Sequence, residues 1–128
     1  MRLLLDTHAL LWWLLGDFSL SAEARDAIAD AANDSFVSAV SAWEVSTKHR
    51  IGKLPRAGFL VGEFAEIVSS QGFVELPISI RHAQLAGKLP GIHKDPFDRM
   101  LIAQAITSEM TIVSNEAVFD AYGAARLW

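Results

Sequence analysis

Apolar residues are not spread evenly along this chain; they fall in short runs that end on charged or turn-forming residues. "RLLLD" (Arg2 to Asp6) is uniformly apolar between charged ends. Uniform rather than alternating apolarity suits a strand covered on both faces, as in a parallel sheet. The helical signals "HALLWWLLG" and "SAEARDAIADAA" follow, the second with Ser21 as N-cap and Glu23 in its first turn. "SFVS" (Ser35 to Ser38) reads as a second strand. Ser41 opens a helix to about Ile51, stopped by Gly52. "GFLVGEFAEIVSSQG" (Gly58 to Gly72) reads as one helix, "FVELP" as a strand ended by Pro77, and "SIRHAQLAG" as a short helix closed by Gly87. After the loop "KLPGIH", a helix starts in "KDPFDRMLIAQA" and runs to about Ser108. "MTIVS" and the terminal "ARLW" complete the strands. Strands separated by helices imply right-handed crossovers and a parallel-dominated sheet flanked by helices. The fold class is α/β, in one domain spanning residues 1–128.

Composition narrows the chemistry. Hydrophobic residues make up 52% of the 128 residues, which supports one packed core. There is no cysteine, which removes disulfides, thiolate metal sites and cysteine nucleophiles. Asp6 and His8 interrupt the apolar N-terminus, and no apolar run is long enough to cross a membrane, so the expectation is a soluble cytoplasmic protein. The net charge is −4, the wrong sign for binding nucleic acid by bulk charge. A nucleic-acid role therefore needs a local basic patch or a bound cation.

The acids fall at informative places. Ligands bind open α/β sheets at the carboxyl ends of strands. Asp6 ends the first strand, beside Thr7 and His8; alone, it is also a plain helix cap. Ser41-Ala42-Trp43-Glu44 follows the second strand and matches a capping box, and Lys48, four residues on, can pair with Glu44 on a helix surface. Asp95 suits an N-cap, Pro96 the first helical position, and Asp98 the third. From Asp98, the apolar stripe Leu101, Ile102 and Ala105 marks the core side of the helix, while Asp95 lies nearer Arg99 and solvent. Ser114-Asn115-Glu116 again places an acid just past a strand.

Singly, each acid reads as a cap; together, they occupy one edge of the sheet. Two carboxylates about 4 Å apart repel by roughly 4 kcal/mol at an effective dielectric near 20, so a cluster calls for a bridging cation. Hard oxygen ligands without cysteine select Mg²⁺ or Mn²⁺, and such an ion supplies the positive potential a phosphate needs. Beside the cluster, "KHRIGKLPR" carries Lys48, Arg50, Lys53 and Arg56, with no acid from Val45 to Gly62. It reads either as a solvated helix end or as a contact strip for a nucleic-acid backbone, to which Arg99 adds. His8, His49, His82 and His93 show no ligand spacing and take no catalytic role. Trp12, Trp13 and Trp43 read as core or interface anchors rather than base-stacking platforms.

Read in order, "LLLDTHALLWWL", "SAVSAWEVSTKHRIGKL", "HKDPFDRMLIAQA" and "IVSNEAVFDAYG" resemble the PIN-domain ribonucleases, specifically the VapC-type toxins of toxin–antitoxin pairs, over nearly the whole chain. The resemblance implies a PIN-like fold and a Mg²⁺- or Mn²⁺-dependent endoribonuclease acting on RNA. It also implies inhibition by a cognate VapB-like antitoxin, and a homodimer. Asp6, Glu44 and Asp98 match the family's acidic site, with Asp95 as an auxiliary member. Thr7 and Ser41, joined by Ser114, match supporting hydroxyl residues. Glu116 stands where the family usually has aspartate, and the added methylene puts a second metal position in question. Two other readings stay open: a metal phosphohydrolase for small substrates, and a catalytically weakened PIN-like module that binds a partner.

Overall fold

The computed structural model describes residues 1–91 and 93–128; Ile92, in the expected loop "KLPGIH", lies outside the described residues. Among the described residues, five strands form one sheet: β1 (Arg2–Leu5), β2 (Asp34–Ser38), β3 (Val74–Leu76), β4 (Thr111–Val113) and β5 (Arg126–Leu127). Every pairing is parallel, and the order is β3-β2-β1-β4-β5. The uniform apolarity of β1 is explained by what covers it. Leu3 and Leu5 enter one cluster with Ala9, Leu10, Ala24 and Ile28, whereas Leu4 enters another with Leu101, Ile102, Ala105 and Phe119. Both faces are thus dry, and no position in the strand favours a polar residue.

The helices are α1 (Thr7–Leu15), α2 (Ala22–Ala29), α3 (Ala39–Arg50), α4 (Gly58–Val61), α5 (Phe64–Ser70), α6 (Ile80–Lys88) and α7 (Pro96–Ser108), with 3₁₀ turns at Pro55–Ala57 and Ala117–Tyr122. Among the described residues, no helix is long and apolar enough to cross a membrane. Helix α1 ends at Gly16, whose φ of 63° lets its N–H reach back to the carbonyls of Trp12 and Trp13.

Three local expectations change. Helix α3 starts earlier than Ser41, because Ser38 caps it, accepting from the Val40 amide at 3.0 Å. Ser41 therefore sits inside the first turn, and Ser41–Glu44 is not a capping box. The expected helix from Gly58 to Gly72 is two helices, with Gly62 closing α4 and Glu63 preceding α5 in a non-helical conformation (φ −133°). Helix α6 runs through Gly87 to Lys88, and its start is a reciprocal box between Ser79 and His82.

Strand register fixes the working edge. Leu5 is level with Val37 on one side and Val113 on the other. The Asp6 amide extends the ladder one step by donating to the Val113 carbonyl at 3.1 Å. The residues that follow β1, β2 and β4 thus leave the sheet together. The chain order reverses between β1 and β4, the position where open α/β sheets form crevices.

Candidate active site

Asp6 is a buried acid at the end of β1. It is 5% exposed, caps α1, and accepts from the Ala9 amide at 2.8 Å through Oδ1. Burial pushes its carboxyl up to about 6, and the nearby charges of Glu116 and Glu44 push the same way; the Ser114 hydroxyl and the Ala9 amide oppose them. Among the described residues, no cationic side chain pairs with Asp6.

Glu44 faces it from α3 and is 3% exposed. The Thr7 hydroxyl donates to Glu44 Oε1 and lies 3.1 Å from the hydroxyl of Ser41, itself fully buried. The other carboxylate oxygen, Oε2, takes the Lys48 ammonium. Burial alone would lower the Lys48 pKa, but the hydrogen bond and charge of Glu44, with Asp95 and Asp98 further off, hold it above the ordinary value.

Asp98 enters from the start of α7. The cap is the one its spacing predicts: Asp95 Oδ1 accepts from the amides of Phe97 and Asp98 at 2.9 and 3.2 Å. The Asp98 carboxyl is pushed up to about 6, chiefly by burial, then by the charges of Asp95, Glu116 and Glu44, while His93 opposes the rise. His93 Nε2 stands 2.9 Å from Asp98 Oδ2. Glu116 is exposed at the outer rim, its amide donating to Ser114 Oγ at 3.0 Å. Acids from four separated segments thus sense one another's charge at one edge of the sheet.

The remaining expected contacts divide. Lys48 lies inside the acidic cluster rather than on a free helix surface. Arg56 pairs with Asp17 at 2.9 Å. Arg99 turns its guanidinium to the carbonyls of Ala86 at 3.0 Å, His93 at 3.1 Å and Leu89. That geometry anchors the segment before α7 instead of presenting a free charge. Of the expected contact strip, Arg50 and Lys53 remain exposed and without an acidic partner among the described residues. His93 beside Asp98 is the site residue that spacing did not reveal. His82 is buried, serving the start of α6 and lying 3.4 Å from Gln104 Nε2.

The donor set is all oxygen from carboxylates, with hydroxyls behind it, which suits a hard divalent cation. The buried, cation-free Asp6 is the observation that fits such an ion: an ionised carboxylate there calls for positive charge. In the present arrangement, no three acids or histidines among the described residues stand at the spacing of ligands to one ion. Glu44 and Asp98 are instead engaged by Lys48 and His93.

The family model for the PIN domain matches residues 3–125. No curated protein matches the chain significantly. Among solved structures, the chain is similar to one of VapBC2 from Rickettsia felis bound to a DNA fragment from their promoter, with 15% identity, a TM-score of 0.71, and coverage of 99% of this chain and 98% of that one. It is also similar to one of FitAcB from Neisseria gonorrhoeae, with 16% identity, a TM-score of 0.63, and 98% and 96% coverage. A structure of FitAB bound to an IR36 DNA fragment gives 18% identity, a TM-score of 0.64, and 98% and 93% coverage.

Proposed function

The chain belongs to the PIN domain family, and from that premise we propose that it is a metal-dependent endoribonuclease, the toxin of a toxin–antitoxin pair. The observation that carries the reading is the meeting of Asp6, Glu44, Asp98 and Glu116 at the carboxyl edge of the sheet, with Asp6 buried and without a cationic side-chain partner among the described residues. In this reading, Asp6, Glu44 and Asp98 hold Mg²⁺ or Mn²⁺, Glu116 completes the site, and Asp95 supports it. The ion, when bound, supplies the Lewis acidity that makes water a nucleophile toward a backbone phosphodiester.

The chain's own groups do the positioning. Thr7 and Ser41 fix one oxygen of Glu44, and the Ala9 amide with Ser114 orients Asp6. The Lys48 ammonium pairs with Glu44 Oε2 and the His93 ring stands against Asp98 Oδ2, so a bound ion would have to displace both contacts. Arg50 and Lys53 offer the charges for an RNA backbone. The partner is an antitoxin of the VapB type, in keeping with the complexes VapBC2 and FitAB among the similar structures. Exposed Val74, Ile78 and Ile80, at the β3–α6 edge, support self-association into a homodimer. The setting is the cytoplasm.

One observation favours a second reading, a weakened PIN module that binds a partner: the Lys48 ammonium already occupies Glu44, and the family resemblance adds that Glu116 stands where aspartate is usual. Cleavage of RNA and of a generic phosphomonoester, each with Mn²⁺ and with chelator, separates the possibilities. The proposal expects Mn²⁺-dependent cleavage of RNA alone, lost in Asp98→Asn. RNA left intact by the parent protein favours the module, and turnover of the phosphomonoester favours a small-substrate phosphohydrolase.

A further inference from the structure

The chain's tryptophans are used differently. Trp12 packs edge-on against Trp128 at 5.8 Å. Trp13 leans on Phe73 at 6.2 Å, and its Nε1 donates to Gln71 Oε1 at 2.9 Å. Both are half-buried. Trp43 is 57% exposed, and among the described residues its Nε1 has no protein acceptor. It is nevertheless held: Phe97 meets it edge-on at 4.8 Å with 74° between planes, and the Lys48 ammonium stands 5.7 Å from the Phe97 ring centroid.

The position of this ring matters as much as its exposure. Trp43 directly precedes Glu44 on α3, and Phe97 directly precedes Asp98 on α7. Adjacent Cα atoms are about 3.8 Å apart, so the indole stands at the rim of the acidic cluster while its neighbours in sequence face inward. An indole met by one ring in a T-shaped contact and still 57% exposed keeps π-surface open to another ring.

We propose that Trp43, which the sequence pattern reads as a core or interface anchor, is instead a nucleobase-stacking platform, seating an unpaired base of the RNA beside the acidic cluster of Glu44 and Asp98. The proposal rests on reading the chain as a ribonuclease. Single-stranded RNA is recognised by splayed bases stacked on aromatic side chains, and such stacking tolerates any sequence. Charge gives this chain little help: its net charge is −4, and Lys48, Arg56 and Arg99 are engaged within the protein. A stacking surface beside the cluster supplies affinity where phosphate contacts are few.

Binding of an unstructured oligoribonucleotide, measured by anisotropy in an Asp6→Asn background that leaves the RNA intact, tests this. Trp43→Ala should raise Kd by about 5- to 150-fold, and Trp43→Tyr should keep most of the affinity. A scan of abasic nucleotides should find one position where the parent falls to the level of Trp43→Ala and where Trp43→Ala loses nothing more. Equal binding by Trp43→Ala and its parent, in a protein whose unmutated form cleaves RNA, overturns the platform and leaves the ribonuclease reading standing. Unchanged RNA binding with a loss of dimer in sedimentation assigns the ring to a protein interface, which also overturns it. If the unmutated protein neither binds nor cleaves RNA, the ribonuclease reading fails first and the platform with it.

Discussion

Asp6 and Asp98 both have carboxyls raised to about 6, but the two sides of the cluster are built differently. On the Asp6 side, the contacts are neutral: a backbone amide, the Ser114 hydroxyl and a ladder bond from Asp6 to β4. On the Glu44–Asp98 side, each acid carries a basic partner, Lys48 or His93, on a side chain that can rotate away. Neutral donors held by the backbone orient a carboxylate without cancelling its charge, whereas a flexible cation cancels it and can be exchanged. In the proposed reading, the first side is the fixed anchor for a divalent ion, and the second is where the Lys48 and His93 contacts are exchanged for it.

The largest effect should come from the fixed side. Asp6→Asn removes the buried charge, and cleavage of RNA should fall by more than the roughly 10- to 100-fold typical of groups behind a metal ligand. Initial rates under saturating Mn²⁺ check this, and a loss of less than tenfold would put the anchor elsewhere.

The same residue predicts how stability depends on pH. The Asp6 carboxyl moves from 3.8 to about 6 on folding, so between those values the folded chain binds more protons than the unfolded one. Stability therefore falls as pH rises through this window, with Asp98 acting in the same direction. At pH 7, Asp6 alone costs about 3 kcal/mol. Metal-free protein should melt at a higher temperature at pH 5 than at pH 7.5, and Asp6→Asn should shrink the difference to the part that Asp98 contributes. Mn²⁺ should raise the melting temperature at pH 7.5 far more than at pH 5.

The exchangeable side should respond in the opposite sense. Lys48→Met leaves Glu44 buried without its cation, which should destabilise the metal-free protein by about 1–3 kcal/mol, below the roughly 3–5 kcal/mol of fully buried pairs because Lys48 is partly exposed. Mn²⁺ should recover most of that loss, as thermal melts with and without the ion would show. A loss that Mn²⁺ cannot recover would make the Lys48–Glu44 pair purely structural.

The smallest effect lies outside the cluster. Lys53→Ala with Arg50→Ala should weaken RNA binding only a few-fold and make it less salt-dependent. Anisotropy at two salt concentrations measures this, and an unchanged salt slope would remove the strip from the interface.

Which parts of this were legible in the sequence follows from how local each signal is. Uniform apolarity in β1 and the Asp95–Pro96–Asp98 cap are local, and both hold in the structure. The start of α3 was misread because Ser38 and Ser41 are equally good caps, and only the end of β2 decides between them. The break between α4 and α5 hides in an apolar run where one glycine is a weak stop. The sequence suggested the Glu44–Lys48 spacing but not that the pair points into the cluster. His93 beside Asp98, and Arg99 on three distant carbonyls, depend on how the segment before α7 folds back, which no local pattern encodes.

The most direct test of the acidic cluster as a divalent-cation site is calorimetric titration with Mn²⁺ of the unmutated protein and of Asp6→Asn. The account predicts saturable binding by the first and at least a tenfold weaker affinity in the second. Equal affinity in both proteins, or no binding by either, would contradict it.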